Sequence, residues 1–371
     1  MREFTVASAE SGIKCISYCK HLLPGAQNGF LHKMLRKKNI TVNGKKADGF
    51  TLLLAGDVVR FFFSEETFLL LQKGGGPEKS RAEDKTEQLF KQYRIEERII
   101  YEDDHILILN KPAGLLSQKA SATDISANEL LLFYLCKGQR STQGFTASVV
   151  NRLDRNTSGL LLFGKSYQGT RLLSGLLKER GIAKYYRCWV LGEAEKAFLS
   201  GWLIKDEQTN KVTIINDKDL PAQKLQGGKA LIQQTDSRGE IHRQGDRIET
   251  EWIPLKTIVL PEDIGEGKKG GGEAKLTATL LEVHLITGKT HQIRAHLASV
   301  GHPILGDPKY SGSRINGECK KHFHIHRQLL HAYRIEFPQL KEPFGHLSGR
   351  VFTAETPADM DFYKTLSDAV N

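Results

Sequence analysis

The stretch VNRLDRNTSGLLLFGKS, residues 150–166, sets one carboxylate, Asp154, between two guanidiniums, Arg152 and Arg155, just ahead of the apolar run Leu160 to Phe163. Cations on both sides favour an ionised carboxylate. Such a group is a poor general acid and a good nucleophile. A plain surface ion pair is the ordinary alternative, because exposed pairs are common and contribute little. A second candidate is Arg294, in GKTHQIRAHL (288–297). With a helix capped at Thr290, residues Ile293, Leu297 and Val300 share an apolar face and Arg294 lies at its border. A half-buried guanidinium there needs an anion, for which Asp154 and any surface carboxylate compete. The third candidate is KYYRCWV (184–190), where a strand puts Lys184 and Tyr186 on one face. Tyr186 beside a basic group could donate or accept a proton, although strand tyrosines more often pack.

These groups need elements to hold them. Residues Asn151 to Ser158 are polar and end in Gly159, and the apolar run that follows suits a buried strand. Asp154 is therefore expected on a loop at a strand's edge, a usual place for catalytic groups. Around it the sequence gives a strand at Ile106 to Leu109, a helix in ANELLLFYLCKG closed by Gly138, and a helix in YQGTRLLSGLLKERG. Strands follow in AKYYRCWVLGE and from Ala274 to Thr287. Strands outnumber helices, so residues 93–371 read as a mixed, mainly antiparallel α+β domain with a mobile loop near 262–275. Ahead of it, residues 1–70 read as a small, separate α/β module and the Gly-, Lys- and Glu-rich residues 71–92 as a flexible linker. In the module, Phe30, Leu31, Met34 and Leu35 recur at helical spacing beside Lys33, Arg36, Lys37 and Lys38, and Asn43-Gly44 marks a hairpin turn before Lys45 and Lys46.

Charge points the same way. The chain of 371 residues carries 53 Lys and Arg against 43 Asp and Glu, a net charge of +10, and residues 1–62 hold ten of the cations against four acids. A basic balance concentrated in one module attracts polyanions. Hydrophobic content of 39% and charged content of 26% fit a globular protein. No apolar run approaches the roughly 20 residues of a membrane span, and MREFTVASAESG lacks a signal-peptide core, so no membrane association and a cytoplasmic location are expected. Five scattered cysteines (15, 19, 136, 188, 319) show neither a disulfide framework nor zinc spacing. In HFHIHRQLLH, His322, His324 and His326 alternate as on a strand without a metal-ligand pattern, and neither GGGP nor GGGE is a phosphate loop. No metal and no cofactor are expected.

Five stretches in order, YEDDHILILNKPAG, NRLDRNTSGLLLFGK, AKYYRCWVLG, GKTHQIRAHLASVGHPILGDPKYSG and RQLLHAYRIEFP, resemble the pseudouridine synthase family, which modifies uridines in ribosomal and transfer RNA. The branch is that of the large-subunit ribosomal RNA enzymes, and the resemblance spans roughly residues 95–355. The leading module resembles the small RNA-binding domain first named in ribosomal small-subunit protein S-four. It implies that Lys33, Arg36, Lys37, Lys38, Lys45 and Lys46 face phosphates, which position RNA without reading its sequence. The family resemblance implies Asp154 as the nucleophile, Arg152 beside a flipped-out nucleotide, Tyr186 as the active-site tyrosine and Arg294 as the partner of the aspartate. Asn151 departs from the histidine that many members carry before RLDR.

The implied reaction breaks the bond from uracil N1 to ribose C1′ and rejoins the base through C5, after the nucleotide has left its stack. Asp154 would attack C1′ or remove the C2′ proton; the residues leave both open. Tyr186 would serve the C5 proton through water or by relay to Asp154. The expected substrate is 23S ribosomal RNA, with transfer RNA as the alternative; a monomer is the default expectation, and no obligatory protein partner is evident in the sequence. Two other classes compete: a non-catalytic RNA-binding or ribosome-assembly protein, and a hydrolase that releases the base.

Overall fold

The structure, a computed structural model, describes residues 1–72, 79–121, 123–136, 145–206, 211–217, 229–236, 239–261 and 276–362, without the side chains of 79–84, 136 and 229–244. The expected loop near 262–275 and Gly138 lie outside the described residues. The chain divides into two compact units: Met1–Leu153 with Leu161–Glu179, and Asp154–Leu160 with Arg180–Asn371.

In the first unit, strands Arg2–Thr5, Val58–Phe61, Ile40–Val42 and Lys45–Lys46 pair in that order. Asn43 and Gly44 join the last two at positive φ (50° and 71°), the backbone that a tight two-residue hairpin requires. Helix Asn28–Arg36 buries Leu31 and Leu35 and leaves Lys33 and Arg36 in solvent; Lys37, Lys38, Lys45 and Lys46 are exposed too. Within the stretch 71–92, read from the sequence as a flexible linker, residues Lys79–Gln92 form a helix. Its Lys, Glu, Gln and Ala content favours helix even without an apolar period. Lys91 bonds Glu87 one turn back at 2.7 Å, and Phe90 packs on Phe133 and Tyr134 of helix Ala127–Cys136. Later, Ser166 caps helix Tyr167–Lys178 by accepting the Gly169 N–H at 3.0 Å.

The second unit is built on a large mixed sheet. Its strands run in the order Val212–Asn216, Ala197–Lys205, Gly239–Val259, Thr277–Leu285, Ala183–Leu191, Leu330–Glu336 and then Ser158–Gly164, of which residues up to Leu160 belong here. Successive strands are antiparallel until the last pair, where His331 lies opposite Ser158 and Ala332 opposite Gly159 in parallel register. The mixed, mainly antiparallel α+β class read from the sequence is thus found. Gly159 is required: it has φ +113°, and a Cβ would meet the Ala332 carbonyl oxygen at 2.2 Å. Trp189, Leu305, Phe323, Leu329 and Phe362 pack together on this sheet, and the Trp189 indole donates to the Met360 carbonyl at 2.8 Å. The strand-like alternation of His322, His324 and His326 is corrected: His322 lies in helix Ser313–Phe323, and His324 ends that helix in the left-handed conformation, φ 56°. Among the described residues no helix is long and apolar enough to cross a membrane.

Among the described residues of this unit, two histidines are fully buried. His331 Nδ1 lies 2.9 Å from Ser158 Oγ, and His296 Nδ1 lies 2.9 Å from Thr250 Oγ1. Burial pulls both imidazoles down from 6.5 to about 4. Between these values the unfolded chain binds more protons than the folded one, so stability is lost as pH falls through this window. Each histidine contributes on the order of 3 kcal/mol of loss once the folded value is reached. Urea unfolding at about pH 5 is therefore expected to have a lower midpoint than at about pH 7, and His296→Asn to reduce that difference. Equal midpoints would contradict it.

Candidate active site

Asp154 stands on a tight turn in which its carbonyl accepts the Thr157 N–H at 3.0 Å. Arg327 holds the turn, donating to the Asn156 carbonyl at 3.1 Å while it pairs with Asp359 through bonds of 2.6 and 2.7 Å. The side chain of Gln328 reaches Thr157 Oγ1 at 3.4 Å. The nucleophile candidate is therefore carried on a loop, as expected from sequence, and that loop is fastened to the chain that leads into strand Leu330–Glu336.

Arg294 comes from helix Gln292–Ser299. The expected Thr290 cap is corrected, since His291 occupies the N-cap position at φ 54° and makes no side-chain cap bond. Gln292 ties down the segment that leads into the helix: its Oε1 takes the Lys289 N–H at 3.1 Å and the Thr287 hydroxyl at 2.8 Å. Its Nε2 donates to the Glu249 carbonyl and to Thr250 Oγ1, both at 3.0 Å, so the first turn is pinned to strand Gly239–Val259.

Arg294 does not lie at the border of an apolar face, as the sequence implies, but is buried at 4% exposure. Its Nη1 donates to Asp154 Oδ2 at 2.7 Å. Its Nε and Nη2 donate to the two oxygens of fully buried Asp307 at 2.7 and 2.9 Å. Asp307 Oδ1 also accepts the N–H groups of Lys309 and Tyr310 at 2.8 and 3.2 Å. Burial opposes the Arg294 charge, but the bonds and charge of Asp307, followed by those of Asp154, hold its pKa above the ordinary arginine value. The guanidinium is thus a permanent cation whose fork is committed to Asp307, with one nitrogen left to fix Asp154. Gly306, just before the buried acid, has φ +74° and no room for a Cβ, which would meet the Arg327 carbonyl oxygen at 2.1 Å.

Tyr186 lies on strand Ala183–Leu191, opposite Val283 and Ala332, with 7% exposure. Its phenol is pushed well above the ordinary tyrosine value, by burial first and then by the Asp154 charge. It therefore stays protonated at neutral pH. Lys184 is half-buried two residues earlier, and burial, followed by the Arg180 charge, pulls its amine down. His291 adds a group the sequence reading did not single out. Its Nε2 lies 4.0 Å from Asp154 Oδ2 and its Nδ1 3.1 Å from the Tyr310 hydroxyl.

Of the residues singled out by sequence, Asp154, Arg294 and Tyr186 come together in the second unit. Arg152 belongs to the first unit and is solvent-exposed, as are the six module cations. Asn151 now has a structural role, since its Oδ1 accepts the Leu162 N–H at 2.7 Å. Asp307, His291 and Tyr310 were missed. The family model described as RNA pseudouridylate synthase matches residues 105–299, which hold the loop of Asp154, the strand of Tyr186 and the helix of Arg294.

The chain belongs to the RNA pseudouridylate synthase family.

It is similar to the Vibrio cholerae protein named ribosomal large subunit pseudouridine synthase C, 29% identical over 88% of this chain and 85% of the relative. It is likewise similar to the Escherichia coli protein of that name, 27% identical over 99% and 96%. Among solved structures, human RNA pseudouridylate synthase domain containing 4 aligns with a TM-score of 0.54 at 18% identity, over 76% of this chain and 97% of that one, a likeness of fold. For a pseudouridylate synthase, an acid on a pinned loop held by a buried arginine is a suitable centre for chemistry at a sugar carbon.

Proposed function

We propose that this protein isomerises uridine to pseudouridine in 23S ribosomal RNA with Asp154 as its nucleophile. The observation that carries this reading is the 2.7 Å bond from buried Arg294 to Asp154 in a chain of this family. Both Arg294 and the nearer His291 nitrogen face Oδ2, which leaves Oδ1 for the sugar. Arg294 acts as a positioning residue that holds the carboxylate at a fixed angle. Arg152 is given the flipped nucleotide, and Tyr186 is a neutral phenol that can donate a hydrogen bond. No step asks for a metal or a cofactor, and one copy of the chain contains every group named. The similarity to proteins named for the large ribosomal subunit supports the choice of substrate.

In this reading residues 1–70 form the S-four-like RNA-binding module, and its exposed cations supply affinity rather than chemistry. Changing Lys33, Arg36, Lys37 and Lys38 together to Gln is expected to flatten the slope of log affinity against log salt by about 3. Turnover of a saturating short stem-loop is expected to stay unchanged. A slope equal to that of the unaltered protein, or loss of turnover at saturation, would contradict this division of labour.

The reading is tested by mapping pseudouridines in cells that lack the protein and in cells restored with it or with Asp154→Asn. Loss of a large-subunit site, restored only by the unaltered chain, supports it. Loss confined to transfer RNA changes the substrate. Absence of any lost site favours an RNA-binding or assembly protein.

A further inference from the structure

Isomerisation needs a base for the C5 proton, and the tyrosine singled out by sequence is a poor one in this structure. Its phenol is buried, and both burial and the adjacent Asp154 charge keep its proton in place. We propose that His291 is the catalytic residue that takes the C5 proton, an inference that rests on the isomerase reading given above.

The geometry favours His291 on several counts. Its Nε2 lies 4.0 Å from Asp154 Oδ2, too far for a hydrogen bond, so this nitrogen is beside the nucleophile without being committed to it. Its other nitrogen lies 3.1 Å from Tyr310 Oη, and that oxygen also accepts the Val212 N–H at 3.1 Å. With Nδ1–H given to Tyr310, the Nε2 lone pair is left for a substrate proton. The Tyr310 ring stands edge-on to the imidazole, with centroids 5.8 Å apart, and fixes its plane. The backbone of His291 is left-handed at φ 54°, a conformation that histidine tolerates better than most residues and that turns the ring out of the helix's first turn.

The charged groups around the imidazole are Asp154 on its loop, Arg294 on the helix, and Asp307 and Lys309 on the segment after it. Burial dominates and, with the two cations, outweighs the two carboxylates, so the ring is uncharged at neutral pH and free to accept a proton.

The step balances. When C5 has joined C1′ it still holds its hydrogen. Transfer of that proton to Nε2 returns the C5–H electron pair to the ring as the C5=C6 double bond. The electrons of the N1=C6 bond pass to N1, which takes up a proton, and the imidazolium gives its own to solvent.

The test uses RNA carrying deuterium at uridine C5, with the full-length protein, His291→Gln and Tyr310→Phe. His291→Gln is expected to turn over on the order of 10²-fold more slowly, the scale of one general base, with unchanged RNA affinity. It should also show a larger C5 isotope effect than the unaltered enzyme, because proton loss has become the slow step. Tyr310→Phe keeps the ring but removes the Nδ1 acceptor that stabilises the imidazolium, so the acid limb of kcat should move to lower pH. A normal rate in His291→Gln, or a slow rate without a larger isotope effect, overturns the inference, as does an unmoved acid limb in Tyr310→Phe. The last arm stands alone if His291→Gln does not fold. Failure of the isomerase reading is distinct, since the unaltered enzyme would then form no pseudouridine.

Discussion

Asp154→Asn is expected to bind RNA as the unaltered protein does and to form pseudouridine slower by a factor on the order of 10⁴ or more, the scale reached when a covalent nucleophile is lost. The substitution preserves shape, so the turn through the Thr157 N–H and the anchors at Asn156 and Thr157 stay in place. It removes the negative charge that Arg294 Nη1 meets at 2.7 Å and replaces the anionic oxygens with a neutral, weakly nucleophilic amide. Because Arg294 keeps both bonds to Asp307, the fold should be retained. Single-turnover rates and RNA affinity, measured on the same preparation, separate the two effects. A rate within tenfold of the unaltered enzyme would contradict a nucleophilic role.

Arg294→Ala is expected to damage both stability and chemistry. It leaves Asp307, fully buried, without the guanidinium that takes both its oxygens. Breaking a buried ion pair from one side typically costs about 3 to 5 kcal/mol. Urea unfolding of Arg294→Ala and of Asp307→Ala should each show a loss of that size. The double variant should lose less than the two together, because the lone charge is gone. Arg294→Lys keeps a cation but cannot make the two-pronged bond, so it should recover part of the stability and little of the turnover. Additive losses would mean that Arg294 and Asp307 do not act as a pair.

Local patterning made part of this legible in sequence. The run Leu160 to Phe163 announced a buried strand and so put Asp154 on its loop, and Asn43-Gly44 announced its hairpin. Helix Lys79–Gln92 was hidden because its residues carry no apolar period, and Phe90, packed on Phe133 and Tyr134, reports packing that the sequence does not announce. The pairing of Asp154 with Arg294 was accessible only as a match of residue types across the chain. Asp307 was not accessible at all. Nothing in GDPKY marks its acid as buried, since burial there follows from the close turn at Gly306 and from bonds to a distant helix. His291 was hidden likewise, because its place beside Asp154 depends on a left-handed backbone at the N-cap and on the distant contacts of Gln292 that pin this turn.

The most direct measurement is tritium release from RNA labelled at uridine C5, with free uracil assayed in the same reaction. The expected result is release by the unaltered enzyme without free uracil, and none by Asp154→Asn. Free uracil would instead make the protein a hydrolase, no release from ribosomal RNA would make it a binding protein, and undiminished release by Asp154→Asn would contradict the role given to that carboxylate.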